Sequence, residues 1–451
     1  MTGMTGTISP QNAVSWWSAA IPVGIGATVS MWSAGYLCRL PFIEAPPWLL
    51  FFLLVMILIV AGRVAASRSC DRFRSALMTG AIAGVIDLLV LGAVLVPEGD
   101  STSSVVVSAS TFILACMVLA ALGAATTPGG SSTAERGVES ITRTAFWATL
   151  MLVGIGGLVT SEEAGMAVPD WPGSFGNNMF LLPLSRMTGA IYYEHAHRLF
   201  GSLVGLVTLS MAIYSWRFAR RRSLSWLGLI ASVQVVVQGI LGGYRVTEAK
   251  SVEVVAGQVT ESVESGLSLL LRVVHGIHGQ IFLAVLAVMA TLAASSWRTE
   301  APQVGHRSWA RASRWLLVLL LCQLLLGALS RHISRSWVVP HLIGGFLALL
   351  AVIVVGAMIG HDSNSRTRSR LGVALILATM TQVSLGFMTL AATGSEVRSA
   401  SSGVSETLLA TLHQSLGAVI LSLSAALLCW CHRGPLLEAG SGPNGARAGD
   451  G

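Results

Sequence analysis

Charge is scarce in this sequence. Of its 451 residues only 11% are Asp, Glu, Lys or Arg, whereas 53% are hydrophobic. A soluble globular domain carries about a quarter charged residues, so that class is excluded. Cysteine is sparse as well: Cys38, Cys70, Cys116, Cys322, Cys429 and Cys431 are the six. None falls in 161–192 or 246–267, so no disulfide is expected in those links. Cys429-x-Cys431 has a metal-compatible spacing, but two small apolar residues at a helix end are the simpler reading. The opening MTGMTGTISPQNAVSWW holds no basic residue, and the first arginine is Arg39. Neither a secretory signal nor an organellar transit peptide is expected there. Histidine is missing from residues 1–140, and all ten lie further on.

What the chain has instead is long apolar runs. Twelve segments are long enough to span a bilayer: about 14–38, 45–62, 76–96, 103–127, 141–160, 193–216, 223–245, 268–295, 314–331, 338–360, 371–392 and 408–431. Backbone polar groups exposed to lipid are not tolerated, so these must be helices. An all-α polytopic membrane protein of about 12 transmembrane helices is expected.

The net charge of +7 invites a nucleic-acid reading, which the placement of the arginines excludes. They cluster in alternate short links: Arg63, Arg68, Arg72 and Arg74; Arg217, Arg220, Arg221 and Arg222; Arg298, Arg307, Arg311 and Arg314; Arg366, Arg368 and Arg370. The intervening links are richer in acids, such as Glu162, Glu163 and Asp170, or Glu248, Glu253, Glu261 and Glu264. This is the positive-inside pattern. It places both termini in the cytoplasm and the acidic links outside, in a bacterial cytoplasmic membrane with lipid as its surroundings.

A Gly/Ser/Thr-rich stretch at 128–140 divides the chain. Before it, residues 1–127 form a four-helix extension. After it come two four-helix units, 141–296 and 314–432, joined by a cytoplasmic link at 297–313. A tail at 433–451 is expected to be disordered. The two later units look like copies. An apolar segment opens with His-x-x-x-Gly four times: His197…Gly201, His275…Gly279, His341…Gly345 and His413…Gly417. The helices between them repeat too, as Gln238-x-x-Leu241-Gly242, Gln323-x-x-Leu326-Gly327 and Gln382-x-x-Leu385-Gly386. An even number of helices per copy makes the copies parallel, related by an axis along the membrane normal.

Histidine is costly in lipid, and four at matching depth point to two bis-imidazole sites. In a helix bundle the expected occupant of such a site is a haem iron. Each histidine falls within the first two turns of its predicted segment, entered from outside, and the two in one copy face each other across the bundle axis. The glycine four residues on lies one turn deeper on the same face. It is expected to leave room for a flat macrocycle, against the alternative of close helix packing.

The first copy carries more. Its outer link reads Ala164-Gly-Met-Ala-Val-Pro169-Asp170-Trp171-Pro172, and the following segment begins Tyr193-Glu194-His195-Ala196-His197-Arg198. With the histidine repeat, this resembles the haem A synthase family, membrane enzymes that convert haem O to haem A for cytochrome oxidase. The resemblance runs over about 141–431. It implies two pseudo-symmetric four-helix bundles, with substrate haem O in the first and a haem b cofactor in the second. It implies substrate-site roles for His197 and His275, iron ligation of haem b by His341 and His413, and a catalytic role for Glu194. Glu194 and His197 share a helix face at i and i+3. The matching places in the second copy hold Val338 and Ala410. A haem O synthase is implied as haem donor, together with the cytochrome oxidase assembly machinery and an electron acceptor of unidentified kind.

Arg198, Arg245, Arg272 and Arg331 lie near the outer boundary. Arg198 is expected at the substrate haem, and the others are candidate propionate contacts, because guanidinium pairs with carboxylate in fixed geometry. Snorkelling arginines are the alternative. Asp170 is expected to tie down its loop, with Trp171 at the interface. His278 competes with His275, which is preferred because it fits the repeat. His195 points about 200° away from His197 on a helix. His332 is expected at the outer surface.

The chain departs from the family in lacking its outer cysteine pair and a second P-D-W-P loop, and in carrying extra histidines and four extra helices. In the extension, Asp87 lies mid-segment with no basic partner there. No Asp-x-x-x-Asp pair is present, which argues against a fused haem O synthase. Assembly or docking is the expectation for the extension. Two rival functions remain: a bis-haem b membrane electron carrier to a quinone, and a transporter, which leaves the histidine register unexplained.

Overall fold

The computed structural model describes residues 15–94, 102–248, 250–255, 258–301, 305–361, 365–393, 403–434 and 436–437. Its helices are α1 (Trp16–Cys38), α2 (Pro47–Ala66), α3 (Arg72–Val90), α4 (Thr102–Ala125), α5 (Ala134–Ser161), α6 (Gly189–Phe218), α7 (Arg222–Thr247), α8 (Gly266–Ala293), α9 (Ser295–Thr299), α10 (Arg307–His332), α11 (Val338–Gly360), α12 (Arg366–Thr393) and α13 (Val404–Cys431). Among the described residues, 12 helices are long and apolar enough to cross a membrane, one for each segment read from the sequence. The link after α7 forms an antiparallel hairpin, β1 (Lys250–Val255) with β2 (Gln258–Glu264). Two two-residue strands, β3 (Gly305–His306) and β4 (Leu436–Leu437), pair in parallel. The expected disordered tail lies outside the described residues from 438 onward.

Local chemistry sets several helix starts. Pro47 opens α2, where the missing N–H of proline costs nothing. The Asp71 side chain accepts from the Arg74 N–H to cap α3, and Ser265 accepts from the Ser268 N–H to cap α8. Hydropathy alone places other starts too late. Residues 128–140 are not wholly a linker, because α5 already begins at Ala134. Likewise α10 begins at Arg307, inside the expected cytoplasmic link, which also takes in the end of α9. Polar opening turns, carrying Glu135 in α5 and Arg307 and Arg311 in α10, sit outside the apolar window yet continue the helical hydrogen bonding. Early starts also move the histidines: His197, His275 and His413 lie more than two turns into α6, α8 and α13, and only His341 falls in a first turn.

By contact the chain forms two compact units, Met1–Ile155 with Glu163–Val236, and Gly156–Glu162 with Val237–Gly451. In the first, α1 to α4 pack on one another. Gly62 of α2 and Gly123 of α4 bring two backbones together: a Cβ on Gly62 falls 1.9 Å from the Ala120 carbonyl oxygen, and one on Gly123 falls 2.0 Å from that of Ile59. Small residues permit such approach where lipid gives helices no hydrophobic drive to associate. The extension is also tied to α6. The Tyr192 hydroxyl donates to the Tyr36 carbonyl and the Tyr214 hydroxyl to that of Ser18, each at 2.7 Å. The Tyr36 and Tyr192 rings stack with centroids 5.6 Å apart. Asp87 is buried in this unit.

In the second unit α10, α11, α12 and α13 form a ring of neighbours, each packed on the next and α13 on α10. That leaves α11 and α13 diagonal to each other. Leu316, Leu320, Val352, Ile359, Leu375, Leu421 and Leu427 fill the core, with Cys431 among them. At Gly372 of α12 an added Cβ falls 2.5 Å from the Gly356 carbonyl oxygen of α11, another close backbone approach.

Candidate haem sites

In the first unit the P-D-W-P loop folds onto the start of α6. Its tip is a two-residue turn: Ser174 and Asn177 exchange backbone hydrogen bonds of 2.9 and 3.1 Å, with Phe175 at φ 54° and Gly176 at φ 76° between them. Left-handed backbone is unfavourable for phenylalanine. The Asp170 carboxylate holds it there, accepting from the N–H of Phe175 at 2.6 Å and of Gly176 at 2.9 Å. Burial raises the Asp170 carboxyl, but these bonds and the Arg198 charge outweigh it and hold it below its usual value. Asp170 thus ties the loop down.

Three side chains within little more than one turn of α6 grip that loop. Glu194 accepts from the Val168 N–H at 2.8 Å and pairs with Arg198 at 2.6 Å. Arg198 also donates to the carbonyls of Asp170 at 2.6 Å, Val168 at 2.8 Å and Gly173 at 3.1 Å. His195 is buried, with Nδ1 3.2 Å from the Ser174 hydroxyl. The guanidinium of Arg198 is therefore engaged with loop and Glu194, and His195 serves the loop on a different face from His197. His197 is half-buried on α6.

In the second unit one arrangement occurs three times. Gln238 Nε2 lies 3.2 Å from His275 Nε2, Gln323 Nε2 lies 3.0 Å from His341 Nδ1, and Gln382 Nε2 lies 3.3 Å from His413 Nε2. The glycine four residues after each glutamine faces the same ring: a Cβ on Gly242, Gly327 or Gly386 falls 3.0, 2.9 or 3.0 Å from Cε1 of His275, His341 or His413. Reciprocally, a Cβ on Gly279, Gly345 or Gly417 falls 2.9, 3.3 or 3.3 Å from Nε2 of Gln238, Gln323 or Gln382. The His-x-x-x-Gly glycines of α8, α11 and α13 thus make room for a glutamine amide, not for a macrocycle as expected from the sequence. Around Gly201 of α6 an added Cβ meets nothing within 4 Å. His275 shares the environment of His341 and His413, whereas His278 meets only the far side of Gln238, through Oε1 at 2.6 Å. Sequence reading noticed the Gln-x-x-Leu-Gly repeat but gave the glutamines no role. Their four-residue spacing from glycine, matched to that of His-x-x-x-Gly, was the available signal.

His341 and His413 face each other from the diagonal helices. Their ring centroids are 6.3 Å apart and their planes 83° apart. A transition metal bonds imidazole nitrogen at about 2 Å, so two such bonds plus two ring radii span roughly 6 Å. Nδ1 of His413 is buried with no hydrogen-bond partner, which leaves a nitrogen for a ligand. The pair fits an iron group. No group of three or more His, Cys, Asp or Glu side chains converges among the described residues, but a bis-imidazole site needs only two.

The three candidate propionate arginines come together at one end of this unit. Arg272 pairs with Glu264 at 2.6 Å, and Arg245 lies 3.8 Å from the same carboxylate. Arg331 donates to Ser161 at 2.9 Å, and His332 lies within the field of Arg331, Arg272 and Arg245.

Fold and site together define a multi-pass α-helical membrane protein with facing histidines inside a four-helix ring. Residues 176–340 match a family described as "Cytochrome oxidase assembly protein". The matched stretch contains Glu194, His197 and His275 and stops one residue before His341. A comparison with curated proteins found no match.

Proposed function

We propose that this protein is a membrane oxidoreductase of the haem A synthase type. It oxidises one methyl group of haem O to a formyl group and so serves cytochrome oxidase assembly. The family match across Glu194, His197 and His275 carries this reading. In two successive oxidations the methyl takes up the oxygen of a water and gives up two protons and, to the electron acceptor, two electrons each time, becoming a hydroxymethyl and then a gem-diol, which loses water. His197 and His275 are each assigned to the substrate haem, from the histidine repeat and the resemblance.

Glu194 is the catalytic residue of this proposal. Its carboxylate is paired with Arg198 at 2.6 Å. A fixed carboxylate at a porphyrin edge stabilises positive character at one methyl carbon or orients an attacking water. The loop held by Asp170, His195 and Arg198 fixes that carboxylate and keeps bulk water from it. Arg198 is thus a positioning group for Glu194, and propionate binding falls to Arg245, Arg272 and Arg331. His341 and His413 would hold haem b, which when bound passes single electrons. Their helices sit across a packed core, so the imidazoles stay opposed while electrons pass.

Positive-inside arginines put both termini on the cytoplasmic side of a bacterial inner membrane, with the histidines toward the outer face. Haem O is apolar, so a haem O synthase is the proposed donor by direct handover, and the electron acceptor lies outside.

The test is the haem content of protein purified after co-expression with a haem O synthase, by extraction and mass analysis. Haem A or its hydroxymethyl precursor beside haem b is expected. Haem b alone, at two per chain, would replace this reading with a bis-haem electron carrier.

A further inference from the structure

Gln238, Gln323 and Gln382 have no part in the chemistry above, yet each reaches a histidine ring on the helix that follows its own. Interhelical glue is what a polar side chain ordinarily provides in a membrane bundle. Three features go beyond glue. The target each time is a ring nitrogen of a His-x-x-x-Gly histidine. Each contact is locked from both sides by glycines, one under the ring and one under the amide. And Oε1 of Gln323 and of Gln382 is buried with no hydrogen-bond partner.

That last feature has a chemical meaning. When one nitrogen of a neutral imidazole binds a metal, the other carries the proton and needs an acceptor. Rotating the amide exchanges Nε2 for Oε1 at the same place, so the side chain that now meets the ring with nitrogen can meet it with oxygen. The unused Oε1 is then the acceptor for the ring N–H. Gln382 sits where this is required. Gln323 and Gln238 do not, because Nε2 of each also donates to a backbone carbonyl, of His341 at 2.8 Å and of His275 at 3.0 Å, and rotation would set two oxygens against each other.

We propose that Gln382 is a positioning residue that fixes the tautomer and ring plane of His413 for iron. The proposal rests on the reading of His341 and His413 as ligands of haem b. Gln238 divides its amide between two rings, with Oε1 on His278 at 2.6 Å. His278 thereby becomes a partner of Gln238 rather than a second ligand.

The experiment uses the full-length, haem b-loaded protein and its variants Gln382→Leu and Gln382→Glu, with His341→Ala as reference. Haem b midpoint potential, low-spin spectrum and rate of haem loss to an apo-globin acceptor are measured, with thermal unfolding in detergent alongside. Outer-sphere partners of metal ligands are worth about 10–100-fold in affinity. Gln382→Leu is expected to lose haem b ~10–100-fold faster and to shift in potential. Gln382→Glu, a stronger acceptor of the same shape, is expected to retain haem b at a potential below that of the parent protein. If His341→Ala is empty of haem b but Gln382→Leu keeps the parent potential and loss rate, the proposal is overturned. Lowered thermal stability of Gln382→Leu with an unchanged potential overturns it equally, since that is glue alone. Should His341→Ala keep its full haem b, the ligand reading itself fails, and this proposal with it.

Discussion

Glu194 and Arg198, one turn apart on α6, form an ion pair of 2.6 Å whose side chains are only 5% and 10% exposed. The pair also grips the P-D-W-P loop, through the Val168 N–H and three loop carbonyls. Breaking a buried pair from one side typically costs about 3–5 kcal/mol, because the remaining charge is left uncompensated. Arg198→Ala is therefore expected to lower the thermal midpoint by several degrees and to open residues 163–188 to protease. Arg198→Lys should rescue little, since an ammonium cannot reproduce the planar fork that serves carboxylate and carbonyls together. Glu194→Gln keeps the acceptor for the Val168 N–H. It should retain a protected loop while haem A production falls at least tenfold. Near-normal haem A production in that variant would remove the catalytic assignment.

The extension is bound to the candidate substrate helix by Tyr192 and Tyr214. Each hydroxyl donates to a carbonyl of α1 in a buried setting. Phenylalanine at 214 leaves the Ser18 carbonyl without a donor, since the residue four further on is Pro22, at a cost of about 1–3 kcal/mol; phenylalanine at 192 removes one bond from a Tyr36 carbonyl that keeps the Arg39 N–H at 3.3 Å, at a cost of about 0.5–1.5 kcal/mol. Tyr192→Phe and Tyr214→Phe should each lower thermal stability by the corresponding order, and the double variant by close to the sum, since the two tyrosines lie several turns apart. The haem b spectrum should stay as in the parent, because neither residue belongs to the second unit. Changed stability in neither variant would mean that α1 does not brace α6.

Asp170 makes the loop sensitive to acid. Its carboxyl is held below the usual range by the Phe175 and Gly176 N–H groups, against the opposing effect of burial. A depressed carboxyl stabilises the folded loop fully above its unfolded value of about 3.9, and that contribution is lost as pH falls through the lower, folded value. Loop protection from protease should thus be flat from neutral pH down to about 4 and then decline. Asp170→Asn should show weaker protection at neutral pH and no further decline from this source in acid. A parallel acid decline in both proteins would assign it to another group.

Much of this was legible in the chain because lipid is a demanding solvent. It forces every span to be a helix, so apolar length alone yields all twelve candidate spans. The histidine register was equally readable, and it placed His341 and His413 on helices that prove diagonal. Hydropathy missed the polar first turns of α5 and α10, which project past the apolar window. Glycine was read wrongly for a physical reason. A missing side chain signals only that something comes close, and whether a macrocycle or a glutamine fills the space depends on the neighbouring helix. The same limit hid the commitment of Arg198: an arginine near an outer boundary looks free for a propionate until the loop carbonyls around it are known.

Gly327 and Gly201 put that distinction to the test. Both lie in the apolar part of a candidate span, and in a lipid-facing position Gly→Ala is generally mild or stabilising through reduced freedom of the unfolded chain. At Gly201 the new methyl meets nothing within 4 Å, so Gly201→Ala should leave haem b content and melting temperature within error of the parent or slightly higher. At Gly327 the methyl falls 2.9 Å from Cε1 of His341, closer than a Cβ contact can be sustained. The ring must swing away, and it is the same ring that stands 6.3 Å from that of His413. Gly327→Ala should fold, since overpacking by one methyl costs about 1–3 kcal/mol. It should nevertheless lose most of its haem b, because an imidazole displaced by even a fraction of an ångström no longer opposes its partner across one iron. Haem b content per folded protein, by pyridine haemochrome against a melting curve, separates these effects. Equal haem b in the two alanine variants would show that the close contact between Gly327 and His341 does not set the iron site.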